Sequence, residues 1–169
     1  MERHRVFISY HHENDEKFKE KFLMLFDDII INESVDLGDY DEDLSDEYIS
    51  RLINTNNINP STVVIVLVGS ATYTRKHVDW EIYAGLSGKV GGSTGLIGIL
   101  LPTFDGLPEH IPARLLDNIN SGYALYSYWT RLYDKFLVQQ MIHTAFERKN
   151  TMSSKINNRR KQMERNLSY

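Results

Sequence analysis

The sequence contains no cysteine, which excludes disulfide bonds, thiolate metal sites and cysteine nucleophiles. It also lacks a long hydrophobic run. The longest apolar stretch, residues 63–69, is far shorter than the roughly 20 residues that cross a bilayer. The apolar run near the N-terminus, residues 6–8, is too short for the core of a signal peptide. We therefore expect a cytoplasmic protein that has no membrane partner.

The composition that remains is typical of one globular domain. Of the 169 residues, 41% are hydrophobic and 25% are charged, which differs from the composition of disordered chains. Because the formal net charge is −4, we do not expect nucleic acid as a partner. The charge is unevenly distributed: residues 13–47 carry 14 acidic side chains against three lysines, whereas residues 147–169 carry seven basic side chains against two acidic ones.

The basic segment at residues 147–169 is also rich in Asn and Ser and has few large apolar side chains. This composition predicts a solvated, frayed extension of the last helix. The alternative is a basic arm that docks on an acidic partner, on nucleic acid, or on the acidic N-terminal half of a second copy. We divide the chain accordingly into a domain at residues 1–146 and a C-terminal extension at residues 147–169.

Short β-type runs alternate with helical patterns through the first of these segments. We expect strands at residues 5–10, 35–38, 62–68, 96–101 and 123–126. We expect amphipathic helices at residues 15–30, 45–53, 72–86 and 130–146, with irregular structure at residues 104–119. Right-handed crossovers between such elements predict a doubly wound parallel sheet that has helices on both faces.

Ligands bind sheets of this kind in the crevice beyond the carboxyl ends of the strands. The polar residues at the predicted strand ends are Ser9, Tyr10, His11, His12, Asp15, Asp39, Tyr40 and Ser70. The two adjacent histidines are more typical of surface residues than of a metal pair, so we expect no metal. No glycine-rich loop follows the first strand, and this excludes the standard dinucleotide fingerprint.

Glu81 is the acidic residue of most interest, because it lies among apolar positions of the helix that follows the third strand. His77 shares its helical face, and Trp80 directly precedes it. One interpretation is a surface carboxylate in a local charge network. The other is a carboxylate near a cleft, which accepts hydrogen bonds from a sugar diol and stabilises a developing oxocarbenium ion. The helical pattern alone leaves both interpretations open.

Several segments together resemble the TIR domain family. Residues 6–10 resemble its first-strand signature, and residues 64–70 and 73–82 resemble its central strand and the next helix. Residues 77–82, 96–102, 111–115 and 122–124 resemble the bacterial branch of the family that includes the Thoeris antiphage proteins. The resemblance covers roughly residues 4–146. It implies a flavodoxin-like fold with a five-stranded parallel sheet.

For catalytic members, the resemblance also implies cleavage of the N-glycosidic bond of NAD, by an NAD glycohydrolase or an ADP-ribosyl cyclase-like enzyme. NAD is then a substrate, and no cofactor is expected. The ADP-ribose becomes a cyclised or conjugated signal that activates an effector protein, and the enzyme forms a homo-oligomer on activation. Glu81 falls at the catalytic position. The expected substrate-binding residues are Ser9, Tyr10, His11, Asp39, Tyr40, Ser70, His77 and Trp80.

One departure from the family pattern concerns the stacking partner of nicotinamide. Many TIR enzymes carry a tryptophan four residues before the glutamate, where this sequence has His77, and the tryptophan here is Trp80. Other TIR domains are scaffolds that act by self-association, and a fold alone does not decide activity. Two hypotheses follow: an NAD-cleaving enzyme of antiphage defence, or a non-catalytic interaction module that uses the acidic loop around Tyr40 or the basic C-terminal segment.

Overall fold

The structure is a computed structural model that describes residues 1–34, 47, 61–88 and 92–168. Within these residues, five strands form one sheet: β1 (His4–Ser9), β2 (Ile30–Asn32), β3 (Val63–Val68), β4 (Gly95–Leu100) and β5 (Leu125–Tyr128). The spatial order is β2-β1-β3-β4-β5, and every neighbouring pair is parallel. This is the flavodoxin-like order, so the predicted fold class is confirmed.

Helices cover both faces of the sheet. The described residues contain α1 (His12–Phe26), α2 (Lys76–Ser87), α3 (Ala113–Asn120) and α4 (Lys135–Thr151). The first and last of these pack in one hydrophobic cluster on one face, and the other two pack in a second cluster on the opposite face. None of the helices in the described part of the chain is both long and apolar enough to span a membrane.

The central strands explain the apolar runs of the sequence. Every residue of β3 and of β4 is buried, because helices cover these strands on both sides. Gly95 at the start of β4 allows a close approach of α4, since a Cβ at this position would overlap the carbonyl group of Ala145. The middle of the sheet is therefore a closed core, and the polar side chains of the strands lie at their ends.

The second strand of the structure begins where a helix was predicted. We predicted a helix through residue 30, but α1 ends at Phe26, where the N–H of Asp27 donates to the carbonyl of Leu23. The next residues form β2, which pairs in register with the start of β1. Strand pairing has overridden the helical spacing of the apolar residues here. The strand predicted at residues 35–38 and the helix predicted at residues 45–53 lie outside the described residues.

The region predicted to be irregular contains α3. Pro112 immediately precedes this helix, where the missing N–H of proline removes no helical hydrogen bond. Leu115 is fully buried and anchors the helix to the sheet. Prolines at 108 and 112 are typical of a loop, but the second of them marks the start of a helix.

The C-terminal segment is not frayed, so that expectation is wrong. Helix α4 continues to Thr151, and the following residues fold back across α2 and α3. Arg160 forms its ion pair with Asp117 of this same chain. We call residues 157–167 the C-terminal strap. Its attachment depends on hydrogen bonds of Asn side chains and backbone groups, which a composition poor in apolar residues does not reveal.

Candidate functional site

Ser9 and Glu81 meet at the carboxyl end of β1. Ser9 lies on the same face of the sheet as Phe7, which packs in the cluster of α2, because alternate residues of a strand share a face. From α2, Glu81 reaches the same point, and the Ser9 hydroxyl donates a hydrogen bond to its Oε2 atom. Each of the two residues is only 1% exposed. The structure therefore brings the predicted catalytic residue into contact with a predicted substrate-binding residue.

The environment of the Glu81 carboxyl disfavours its charged form. Burial raises its pKa from 4.5 to about 8, and the hydrogen bond from Ser9 opposes part of that rise. The interpretation of Glu81 as a surface carboxylate is therefore wrong. A carboxyl group whose pKa is strongly raised, at the strand ends of such a sheet, is typical of a functional site.

His11 follows Ser9 by two residues and precedes α1 as its N-cap. Its Nδ1 atom accepts a hydrogen bond from the N–H of Asn14, at 3.3 Å, and so caps the helix. Burial lowers the pKa of His11, and the positive charge of Arg75 lowers it further. Because Arg75 directly precedes α2, two helices begin near this point. Helix N-termini carry partial positive charge, which favours anionic groups such as phosphate.

Asp15, which we placed among the polar residues at the predicted strand ends, is a buried acid. It is 1% exposed and lies in the first turn of α1, and a Cβ on Gly69 would be 2.5 Å from its Oδ2 atom. That oxygen has no hydrogen-bond partner among the residues that the structure describes. Burial raises the pKa of Asp15 to about 6. In the sequence, Asp15 is indistinguishable from an ordinary acidic residue at a helix N-terminus, so only the fold reveals its burial.

Asp15 packs against the turn that follows β3. Within this turn, the N–H of Gly69 donates to the Thr72 hydroxyl at 2.8 Å. A hydrogen bond from Thr72 also lowers the pKa of Asp15, against the larger effect of burial. Ser70, a predicted substrate-binding residue, lies in this turn and is partly exposed. Asp15 thus supports the segment that presents Ser70 at the strand ends.

Tyr10 does not join Ser9 and Glu81. Its ring packs in the opposite hydrophobic cluster and stacks on His12, with 4.4 Å between the ring centroids. Its hydroxyl donates to Glu16. Consecutive residues of an extended chain point to opposite sides of the sheet, which explains the separation from Ser9. The assignment of Tyr10 to substrate binding stays a prediction.

Trp80 also faces away from the Glu81 carboxyl, because consecutive helical residues point about 100° apart. Its indole N–H donates to the carbonyl of Met163 in the C-terminal strap, at 2.8 Å. His77 is buried one turn before Glu81, and its ring meets that of Trp80 edge-on at 6.0 Å. The structure therefore gives Trp80 a contact that the sequence did not predict. Asp39 and Tyr40 lie outside the described residues.

The groups at this edge suit an uncharged diol and an anion. When ionised, a carboxylate accepts hydrogen bonds from two neighbouring hydroxyls and stabilises positive charge on the adjacent carbon. Two helix N-termini lie nearby. Among the residues that the structure describes, no group of three or more His, Asp or Glu side chains is arranged to hold a metal ion.

A family model matches much of this chain. The family model described as "Thoeris protein ThsB, TIR-like domain" matches residues 7–104, which is more than half of the chain. The match extends from β1 to a point just beyond β4 and includes both Ser9 and Glu81. No curated protein sequence matches the chain.

Proposed function

Because the chain belongs to the Thoeris ThsB TIR-like domains, an antiphage TIR-domain family, we propose that it is an enzyme that cleaves NAD. The products are nicotinamide and a cyclised or conjugated ADP-ribose, and the latter acts as a signal that activates an effector protein. One observation carries the proposal: the buried Glu81 carboxyl, hydrogen-bonded to Ser9 at the strand ends.

Cleavage breaks the bond between C1′ of the ribose and the nicotinamide nitrogen. The bonding electrons leave with nicotinamide, which becomes neutral, and positive charge develops on the ribose. A nucleophilic atom of the same molecule, or of a second molecule, then bonds to C1′ and loses its proton, which gives the cyclised or the conjugated ADP-ribose. The ionised Glu81 carboxylate accepts hydrogen bonds from the ribose hydroxyls and stabilises that charge. Ser9 holds Oε2 of the same carboxyl in place.

The substrate itself favours the ionised form of this acid. Without a ligand, burial keeps the pKa of Glu81 at about 8, so the protonated form prevails at neutral pH. The nicotinamide ring of NAD carries a positive charge, and an opposite charge nearby lowers the pKa of a carboxyl group. Binding of NAD therefore brings Glu81 into the state that the reaction requires.

The test is nicotinamide release by the purified protein, with and without an extract of phage-infected cells as the trigger. We expect Glu81→Gln to reduce release by about 100-fold or more, as for the loss of one stabilising group in the transition state. Glu109→Gln is the matched control, because it makes the same change at an exposed position. Unchanged release by Glu81→Gln contradicts the proposal, as does the absence of release by the wild-type protein under every condition.

A second candidate function, a module that acts by self-association, is favoured by exposed apolar side chains on β5 and at the start of α4. We call these residues the aromatic patch: Tyr126, Tyr128, Tyr133, Phe136 and Leu137. Strand β5 is an edge of the sheet, and exposed edges and apolar patches are typical of interaction surfaces. The occupant that we propose is a second copy of this chain.

This alternative predicts that the double substitution Tyr133→Ser and Phe136→Ser abolishes assembly and phage protection, whereas Glu81→Gln retains both. Light scattering after size exclusion measures assembly. Met24→Ser is the control, because Met24 is a similarly exposed apolar residue on α1. If Glu81→Gln loses protection while its assembly is unchanged, the purely structural module is excluded.

A further inference from the structure

The C-terminal strap supplies the missing cap of α2. The first N–H groups of a helix have no partner within the helix, and Arg75, which precedes α2, provides no side-chain cap. Instead, the backbone N–H of Lys76 donates to Oδ1 of Asn166, at 2.9 Å. Next to this contact, the N–H of Leu167 donates to the carbonyl of Thr74, at 2.8 Å. A residue 90 positions later therefore performs the function of an N-cap.

A buried ion pair ties the same strap to α2 and α3. Arg114 is completely buried, and its Nε and Nη2 atoms donate to Asp79 at 2.8 and 3.3 Å. Its Nη1 atom donates to Asn158 at 3.0 Å and to the carbonyl of Arg160 at 2.8 Å. Asp79 accepts a further hydrogen bond from the N–H of Met163, at 2.8 Å. Both charged groups thus use the strap to complete their hydrogen bonds.

These contacts bracket the helical turn that carries Glu81. Before Glu81 in the sequence, the strap bonds to Thr74, Lys76, Asp79 and Trp80. After Glu81, the side-chain amide of Asn158 donates to the carbonyl of Tyr83. On the other side of α2, the carboxyl of Glu81 contacts Ser9. The strap lies outside the residues that the family model matches, so membership of the family does not account for it.

We propose that the C-terminal strap is a positioning element, which fixes the first turns of α2 and so holds the Glu81 carboxyl against Ser9. The catalytic consequence of this positioning rests on the proposed function. The structural consequence does not, since it concerns only where α2 and its carboxyl lie. Asn166 and Met163 act through α2 and are positioning residues.

The test uses the full-length chain with three substitutions in the strap. Proline at positions 163 and 167 removes the two N–H groups that bond to Asp79 and Thr74, and alanine at position 166 removes the cap. This variant is Met163→Pro, Asn166→Ala and Leu167→Pro. The matched control is Arg165→Ala with Ser168→Pro, which also introduces a proline and an alanine into the strap region but at exposed residues.

Three measurements are made on each protein: amide hydrogen exchange of residues 76–80, titration of the Glu81 carboxyl by carbon NMR, and kcat/KM for nicotinamide release. In the strap variant we expect faster exchange and a titration midpoint lower by about one pKa unit, because water reaches the carboxyl. We also expect kcat/KM, measured above pH 8 where Glu81 is ionised in every variant, to be lower by roughly tenfold. The control remains at wild-type values. A strap variant with faster exchange but an unchanged midpoint and unchanged kcat/KM overturns the proposal.

A single position keeps the test decisive if the triple variant does not fold. Asn166→Ala removes the capping oxygen, whereas Asn166→Asp retains an acceptor that is favoured at helix N-termini. We expect the aspartate variant to restore the midpoint and kcat/KM that the alanine variant lowers, and equal values for both variants overturn the proposal. If the wild-type protein releases no nicotinamide, the proposed function fails, while the titration of Glu81 still decides the role of the strap.

Discussion

Asp79 and Glu81 lie two residues apart on α2, and both are buried, with exposed fractions of 4% and 1%. Their partners differ. Asp79 accepts hydrogen bonds from the guanidinium of Arg114 and from a backbone N–H, whereas Glu81 accepts one from the neutral hydroxyl of Ser9. Residues two apart on a helix point in nearly opposite directions, so one acid faces the strap and the other faces the strand ends. The two acids are therefore equally buried, and the charge of the partner distinguishes them.

The largest expected effect comes from removing the partner of Asp79. Arg114→Ala leaves a buried carboxylate without its cation and releases two strap contacts, so we expect a loss of roughly 3–5 kcal/mol in the free energy of unfolding. Denaturant unfolding measures it. The control is Arg160→Ala, which breaks a partly exposed ion pair with Asp117 and should cost about 1 kcal/mol or less. Similar losses for the two variants contradict a larger contribution of the buried ion pair to stability.

For Glu81, in contrast, we expect a substitution to raise the free energy of unfolding. Since the pKa of Glu81 is raised from 4.5 to about 8 in the folded protein, the folded state binds a proton that the unfolded state releases. The contribution of this proton to stability is complete below pH 4.5 and is lost as the pH rises through 8. We therefore expect Glu81→Gln to be more stable than the wild type at pH 8, by on the order of a few kcal/mol.

Thermal unfolding at two pH values checks this expectation. The gain from Glu81→Gln should shrink towards zero below pH 4.5, where the wild-type carboxyl is protonated in both the folded and the unfolded state. A difference in stability that does not depend on pH contradicts the raised pKa. The prediction also separates function from folding, because the variant that loses activity is then the more stable protein at pH 8.

Asp15 extends the comparison to a third buried acid, one that packs against backbone. Gly69→Ala places a Cβ about 2.5 Å from its Oδ2 atom, so we expect a loss of about 1–3 kcal/mol. Combining Gly69→Ala with Asp15→Ala makes room for the new methyl group, and the double variant should lose less than the sum of the two single variants. Strictly additive losses in a double-mutant cycle contradict direct contact between these positions.

The smallest expected effect concerns the hydrogen bond from Ser9 to Glu81. The hydrogen bond from Ser9 lowers the pKa of this acid, so Ser9→Ala raises it further. We expect kcat/KM for nicotinamide release to rise with pH towards 8, as the free enzyme loses this proton, and the rise to occur at higher pH in Ser9→Ala. A pH profile of both proteins measures the shift. A rise at the same or lower pH in the variant contradicts a role for this hydrogen bond.

The sheet and the pair at its edge were predictable because their signals are local. The unbroken apolar run at residues 62–68 predicted β3 to within one residue of its observed start. The strand ends, taken with the family resemblance, placed Ser9 and Glu81 among the candidate residues. Their contact follows from the topology, since β1 and β3 are neighbours and α2 returns over them.

The strap and its ion pair were not predictable, because their partners are distant in the chain. Arg114 and Asp79 are 35 residues apart, and Met163 is 84 residues from Asp79. Nothing in the local pattern of residues 157–167 distinguishes asparagines that cap buried helices from asparagines in a solvated tail. Strand β2 was not predicted for a related reason, since it is defined by pairing with β1 rather than by its own residues.

The 90-residue separation between α2 and its cap also affects biosynthesis. At an elongation rate of about 5–20 residues per second, the ribosome adds Asn166 roughly 5 to 18 seconds after Lys76. For nearly all of that interval Asp79 and Trp80 are already part of the nascent chain, but Met163, whose backbone groups bond to them, has not yet been added. The helix that carries Glu81 is consequently among the last parts of the chain to reach its final hydrogen bonding.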